Sequence, residues 1–349
     1  MGSGNSAQIN INLDRAVPFF YSGESVSGSV NVNITEGQIK VDEVFIVLKG
    51  EAGYTTTRTV SNSNGSTHTQ TDYHTICFFS EKKVLDSPGL GKNELEYHSG
   101  KYAWRFDIPL TPHLPPTINE SNKYPRVRYY LKFVIDKPWY KRNADETLYL
   151  TVFPHINLSS NPQCLAPSLF GDHNRKDVTV KGTIDKLGYV PGETITGKLE
   201  IENPRRILLK KLHLSLVQQS RIECNTHKVT IFEMILPTIT NTRQEQIVER
   251  FSLAIPQTYV APSYQFMGGF HHTANVNISY MLEFNVKIEG MFTNLNINIP
   301  ITLGTESDAN PNQHKLHDAS NAYPNYVSYY PEIVEDPQYN PPSYSSVSQ

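Results

Sequence analysis

The sequence predicts an all-β body of two tandem sandwiches, followed by an irregular tail. Three observations carry this. Apolar and polar residues alternate at period two over long segments, a glycine-led decamer occurs twice, and the alternation stops after Leu303. One-sided alternation of that length means antiparallel strands with one face buried and one face wet, the arrangement of packed sheets.

Taken in chain order, the first copy of the decamer is "GESVSGSVNV" from Gly23. A glycine turn leads into a strand with alternating apolar positions, and a second glycine, Gly28, sits inside the strand, where it marks either a bulge or a close backbone approach. The polar run "SNSNGSTHTQTD" from Ser61 is expected to be a mobile hairpin tip. "YAWRFDIPL" then places Tyr102, Trp104, Phe106, Ile108 and Leu110 on one face, and "VRYYLKFVID" does the same with Val127, Tyr129, Leu131, Phe133 and Ile135. Residues 156–176 are rich in Pro, Asn and Ser, break the alternation and are expected to be a linker. The second decamer, "GETITGKLEI" from Gly192, carries Gly197 in the place of Gly28. "KLHLSLVQQ" could pass for a helix, but strict alternation of Leu212, Leu214 and Leu216 favours a strand. The strands "VNISYMLEFNVKI" and "NLNINIPITL" follow.

A second echo supports duplication. "LPPTI" from Leu114 precedes the strand with Tyr129, Leu131 and Phe133, and "VAPSY" from Val260 precedes the strand with Tyr280, Leu282 and Phe284, in the same register. Two shared features in one order argue for two copies of one sandwich. The expected boundaries are a flexible start at 1–7, sandwiches at 8–155 and 177–304, and a tail at 305–349. In the tail, six acidic residues stand against Lys315, and Pro, Asn, Ser and Tyr replace the aliphatic residues. A segment this polar cannot bury enough surface to offset its ordering entropy and is expected to be disordered.

Composition narrows the function classes. The net charge of −3 gives no basic field for nucleic acid. No apolar run is long enough to span a bilayer as a helix. The start "MGSGNSAQIN" is polar and is not read as a secretory leader, so the chain is expected to be cytoplasmic. Cys77, Cys164 and Cys224 are odd in number and far apart, which disfavours both a disulfide framework and a thiolate metal site. Neither G-x-S-x-G nor H-E-x-x-H occurs, and "DSPGLGKN" lacks the first glycine and the final Ser/Thr of a phosphate loop. The adjacent pair His271 and His272 would point to opposite faces of a strand. No enzyme, cofactor or metal is expected.

The doubled "YSGESVSGSVNV" and "YVPGETITGKLEI", the segment "WRFDIPLTPHLPPTI" and "VRYYLKFVIDKPW" resemble the arrestin family, most closely the α-arrestins, over residues 8 to 304. The resemblance implies two immunoglobulin-like sandwiches, an arrestin N-like and a C-like half, that bind membrane-protein cargo at the plasma membrane and endosomes. It also implies a PPxY tail that recruits HECT-type ubiquitin ligases of the Nedd4 class through their WW domains. The tail of this chain contains "PPSY", in which Pro341, Pro342 and Tyr344 match that motif, whereas "DPQY" from Asp336 lacks the first proline. A proline pair held near polyproline II, with a tyrosine one residue later, suits an aromatic-lined groove. The alternative function is a sorting or receptor-desensitising scaffold that recruits no ligase.

Two further sites are candidates. "MGSGNS" fits the N-myristoylation pattern with Gly2 as acceptor, or is only a small-residue leader. Arg205, Arg206, Lys210 and Lys211 cluster in "NPRRILLKKL". They are either a contact for anionic lipid or a phosphorylated cargo tail, or solvated charges that keep a sheet edge soluble.

Overall fold

The computed structural model describes residues 7–61, 66–91, 94–119, 123–258, 260–270, 272–291 and 293–306. The first half runs β1 (Ala7–Leu13), β2 (Phe19–Tyr21), β3 (Ser25–Val41), β4 (Glu43–Ser61), β5 (Thr67–Asp86), β6 (Leu95–Pro109), β7 (Arg126–Asp136) and β8 (Ala144–Phe153). The second half runs β9 (Ser168–His173), β10 (Thr179–Ile184), β11 (Gly188–Tyr189), β12 (Thr194–Glu202), β13 (Leu209–Ile222), β14 (Asn225–Ile235), β15 (Gln246–Ala254), β16 (Tyr264–Gly268), β17 (Ala274–Ile288) and β18 (Leu295–Leu303).

The expected duplication is present: each of the eight strands of the first half has a counterpart in the second, which adds β9 and β16. The first half stacks a sheet of order β1-β3-β6 on one of order β2-β8-β7-β4-β5. The second stacks β15-β12-β10-β9 on β11-β18-β17-β13-β14, with β16 added along β17. In both halves a short strand runs parallel to the last strand of the repeat, β2 beside β8 and β11 beside β18. The alternating residues form the sandwich interiors. Trp104 of β6 meets Phe133 of β7, and Phe251 of β15 meets Phe284 of β17 edge to face. Val276 through Ile288 of β17 and Leu295 through Leu303 of β18 bury every second residue, as the sequence pattern requires. The Leu212, Leu214 and Leu216 stripe is wholly buried in β13, a strand as expected.

The repeated decamer has a physical reason at each fixed position. Gly23 and Gly192 both stand at φ +91°, a left-handed turn that suits glycine. The glutamate that follows each ties the turn down. Glu24 accepts from the Tyr21 amide at 2.8 Å and from Arg15 at 3.1 Å; Glu193 accepts from the Val190 amide at 3.0 Å and from Lys186 at 2.8 Å. Gly28 and Gly197 are close approaches and not bulges. A Cβ at Gly28 would collide with the Asn12 carbonyl and the Phe106 ring, and one at Gly197 with the Thr183 carbonyl and the Phe251 ring.

The second echo is a hydrogen bond. The Tyr129 hydroxyl donates to the Pro115 carbonyl at 2.6 Å, and Tyr280 donates to the Ala261 carbonyl at 2.5 Å. "LPPTI" and "VAPSY" are thus matching segments, anchored by the buried tyrosines of β7 and β17 respectively.

Residues 156–176 depart from the plain linker that their composition suggests. They hold two short 3-10 turns, Leu158–Ser160 and Pro162–Leu165, and strand β9 at the edge of the second sandwich. An edge strand needs few apolar residues. In β9, Phe170 turns inward and stacks on Phe284 at 4.8 Å while Leu169 is exposed, so no alternation betrays it. The Ser61 loop expected as a hairpin tip does connect β4 to β5, which pair as far as Ser61 with Thr67; residues 62–65 lie outside the described residues.

Candidate functional site

Of the candidate site residues, Gly2, Pro341, Pro342 and Tyr344 lie outside the described residues. The basic cluster lies within them, and the structure separates it. Arg205 is paired with Asp177, and Arg206 with Glu245 at 3.1 Å. Lys210 and Lys211 are exposed at the start of β13, where the ladder to β17 slips by one residue between Leu209 and Lys211. Two of the four cations therefore already have carboxylates. The arrangement agrees better with a solvated strand start than with a preformed anion cradle.

A denser polar group lies on the outer face of the five-stranded sheet of the first half. Val127, Tyr129 and Leu131 of β7 point into the core, so Arg126, Arg128 and Tyr130 point the other way. Register brings Glu51 of β4 beside Arg128 and Tyr149 of β8 beside Tyr130. Glu51 accepts from Arg128 at 3.1 Å and from the Tyr130 hydroxyl at 2.6 Å. The Arg128 guanidinium also lies 5.7 Å from the Tyr130 ring centre and 5.9 Å from that of Tyr149. Arg126 packs its guanidinium on Tyr124 at 4.4 Å.

The electrostatics follow from burial and from one carboxylate shared between Arg128 and Tyr130. Burial, then the Glu51 charge, pushes the Tyr130 hydroxyl well above its ordinary value. Burial, then neighbouring Arg128, pulls Arg126 down. On the same face Cys77 is raised by burial and by Glu51, which keeps it a thiol. Arg128, part-exposed among tyrosines, is the cation on this face that an acidic or aromatic peptide segment would meet, since Arg126 is buried. Nothing here resembles an acid–base or nucleophilic set. Among the described residues no group of three His, Cys, Asp or Glu could hold a metal ion.

Sequence reasoning found neither this face nor the contact between the two sandwiches. Beyond Gly53, where pairing with β7 ends, the open edge of β4 meets the β13–β14 hairpin. The Asn225 carboxamide there takes the place of a strand. Its oxygen accepts from the Thr55 amide at 2.6 Å and its nitrogen donates to the Thr55 carbonyl at 2.9 Å. Phe78 of β5 meets Phe266 of β16 alongside, with ring centres 5.3 Å apart. A second contact joins the end of the second sandwich to the exit of the first. Ile156 donates to Thr305 at 2.8 Å, Leu158 donates to the Glu306 carbonyl at 3.1 Å, and the Glu306 carboxylate bonds His155, which stacks on Tyr21. A pattern of alternation carries no trace of such contacts, because they rest on a few side chains such as Asn225 and Glu306.

Comparison with known families matches both halves. Residues 9–159 match the model described as arrestin (or S-antigen), N-terminal domain, and residues 174–307 match that described as arrestin (or S-antigen), C-terminal domain. The two matches fall in the order, and over the halves, in which the strand repeat occurs. With the duplicated sandwich, the doubled glycine-glutamate turn and both domain matches in place, the chain belongs to the arrestin family.

Proposed function

We propose that this chain is an α-arrestin-type trafficking adaptor, whose body engages membrane-protein cargo while its tail brings a Nedd4-class HECT ubiquitin ligase to it. The observation that carries the proposal is the sequence Pro341-Pro342-Ser343-Tyr344, placed after a pair of arrestin domains. The two prolines suit the aromatic platform of a WW domain, and the tyrosine an adjoining pocket. The chain would supply proximity rather than chemistry, raising the local concentration of ligase around cargo lysines. The outer face around Arg128, with its tyrosines, is the cargo surface this reading favours. The adaptor would work from the cytoplasm at the plasma membrane and endosomes, with acylation at Gly2 as an optional anchor that alone binds only marginally.

The test is a titration of the 330–349 peptide against isolated WW domains of several Nedd4-class ligases. Micromolar binding is expected, equivalent to about −8 kcal/mol. Tyr344→Ala should weaken it about thirtyfold, the loss of roughly 2 kcal/mol typical of a buried aromatic anchor. Equal binding by the Tyr344→Ala peptide, or no binding below about millimolar, removes the ligase from the proposal. The scaffold that recruits no ligase would then stand.

A further inference from the structure

The β7–β8 loop presents a side-chain set that folding does not require. The Lys141 amide donates to the Pro138 carbonyl at 2.7 Å, closing a four-residue turn with Trp139 and Tyr140 at its two central positions. The base is fixed by Asn143, which accepts from the Lys137 amide and donates to Asp136, both at 2.8 Å. Turns of this kind favour small, polar or glycine residues at the tip. Here Trp139 is 95% exposed and Tyr140 59%; among the described residues their one aromatic contact is with each other, at 5.9 Å, and Lys141 lies 5.8 Å from the Tyr140 ring centre. A second apolar tip stands at the same end of the sandwich. The pairs Val44 with Asp86, Val41 with Leu95 and Glu43 with Asp136 bring the β5–β6 loop there, with Leu90 wholly exposed between Gly89 and Gly91.

Charge distinguishes this tip from a random exposed patch. Lys137, Lys141 and Arg142 flank the aromatic pair, and none makes an ion pair with a carboxylate among the described residues. Burial and then Lys141 push Lys137 below its ordinary value. Most nearby carboxylates are engaged. Glu94 holds Lys40 with Glu96 close by, Glu43 pairs with Lys82, Asp145 with Lys132, Asp86 accepts from Tyr97, and Asp136 from Asn143. Asp42 and Glu146 remain, against three cations placed at the tip itself. An exposed tryptophan and tyrosine amid uncompensated lysine and arginine is the composition that settles at a membrane–water interface carrying negative lipid. The rings enter the headgroup layer and the cations stay among the phosphates.

We infer that the Pro138–Lys141 turn is a docking point for an anionic bilayer surface, with Trp139 and Tyr140 as interfacial anchors and Lys137, Lys141 and Arg142 as the charge that selects acidic lipid. The site is independent of the tail motif, of Gly2 and of the Arg205 cluster. To test it, the full chain is made in bacteria, so that Gly2 carries no acyl group, and mixed with vesicles of phosphatidylcholine alone or with phosphatidylserine added. Trp139 emission should shift to the blue on acidic vesicles and be quenched by brominated lipid, over the constant background of Trp104. Triple replacement K137Q/K141Q/R142Q should weaken association about tenfold or more, and raised salt should do the same. Trp139→Ser with Tyr140→Ser should abolish the quenching. Replacing Arg205, Arg206, Lys210 and Lys211 by glutamine should leave binding unchanged. The inference is overturned by no association with acidic vesicles, or by undiminished binding of the loop variants. It is also overturned by a concentration-dependent blue shift without vesicles, which would assign the tip to a second copy of the chain.

Discussion

At the residue scale, the most readable positions are those where one atom decides. Gly28 and Gly197 were legible as glycines inside strands, but the sequence could not say whether a bulge or a close approach placed them there. The answer depends on Phe106 and Phe251, each on a neighbouring strand far along the chain. The prediction is that Gly197→Ala forces its methyl against the Thr183 carbonyl and the Phe251 ring and costs about 1–3 kcal/mol, the usual range for overpacking. Tyr280→Phe should cost about 1–3 kcal/mol by leaving the Ala261 carbonyl buried without its donor. Both are read as urea midpoints, and an unchanged midpoint for either refutes the role given to it. Tyr129 and Tyr280 were aligned in the sequence as apolar strand residues. That each reaches back to the preceding loop is a property of the hydroxyl, on which periodicity is silent.

At the element scale, strands with one dry face were legible and strands at the margins were not. β17 and β18 bury residues at strict period two, whereas β9 rests on Phe170 and looks like linker. The junction of the sandwiches was equally hidden, because it is made by a side chain that imitates a peptide group. Asn225 satisfies both the amide and the carbonyl of Thr55 on the open edge of β4. Asn225→Ala should therefore speed hydrogen exchange at the Thr55 amide, by about fivefold if the bond contributes roughly 1 kcal/mol. Asn225→Asp keeps the acceptor and loses the donor, and should fall between the two. Exchange at core amides such as Leu131 should not change. If Thr55 exchanges at the same rate in all three proteins, the hairpin does not hold the edge.

At the scale of the whole molecule, the duplicated architecture was legible because a doubled motif and an alternating pattern survive in any one sequence, whereas charge networks do not. The Arg128–Glu51–Tyr130 group draws on strands β4 and β7, and Arg126 looks from sequence like any strand-edge cation. The buried tyrosines have a consequence that belongs to the whole fold. Burial raises Tyr129 and Tyr280, both fully enclosed, far above the ordinary value of about 10, and raises Tyr97 and Tyr189 as well. Below pH about 10 these hydroxyls are neutral in folded and unfolded chains alike, so they confer no pH dependence. Above it the unfolded chain releases protons that the folded chain retains, and stability falls as pH rises, by about 1.4 kcal/mol per pH unit for each enclosed tyrosine. Urea midpoints taken from pH 8 to 11.5 should hold level and then drop through that threshold. Tyrosinate absorbance should rise in two stages, with the enclosed rings ionising only together with unfolding. Tyr280→Phe should begin from a lower midpoint and fall less steeply, because one proton fewer is released on unfolding. A Tyr280→Phe profile parallel to the wild type, or full tyrosinate absorbance while the strands remain folded, would show that these hydroxyls are not sealed in the sandwich cores.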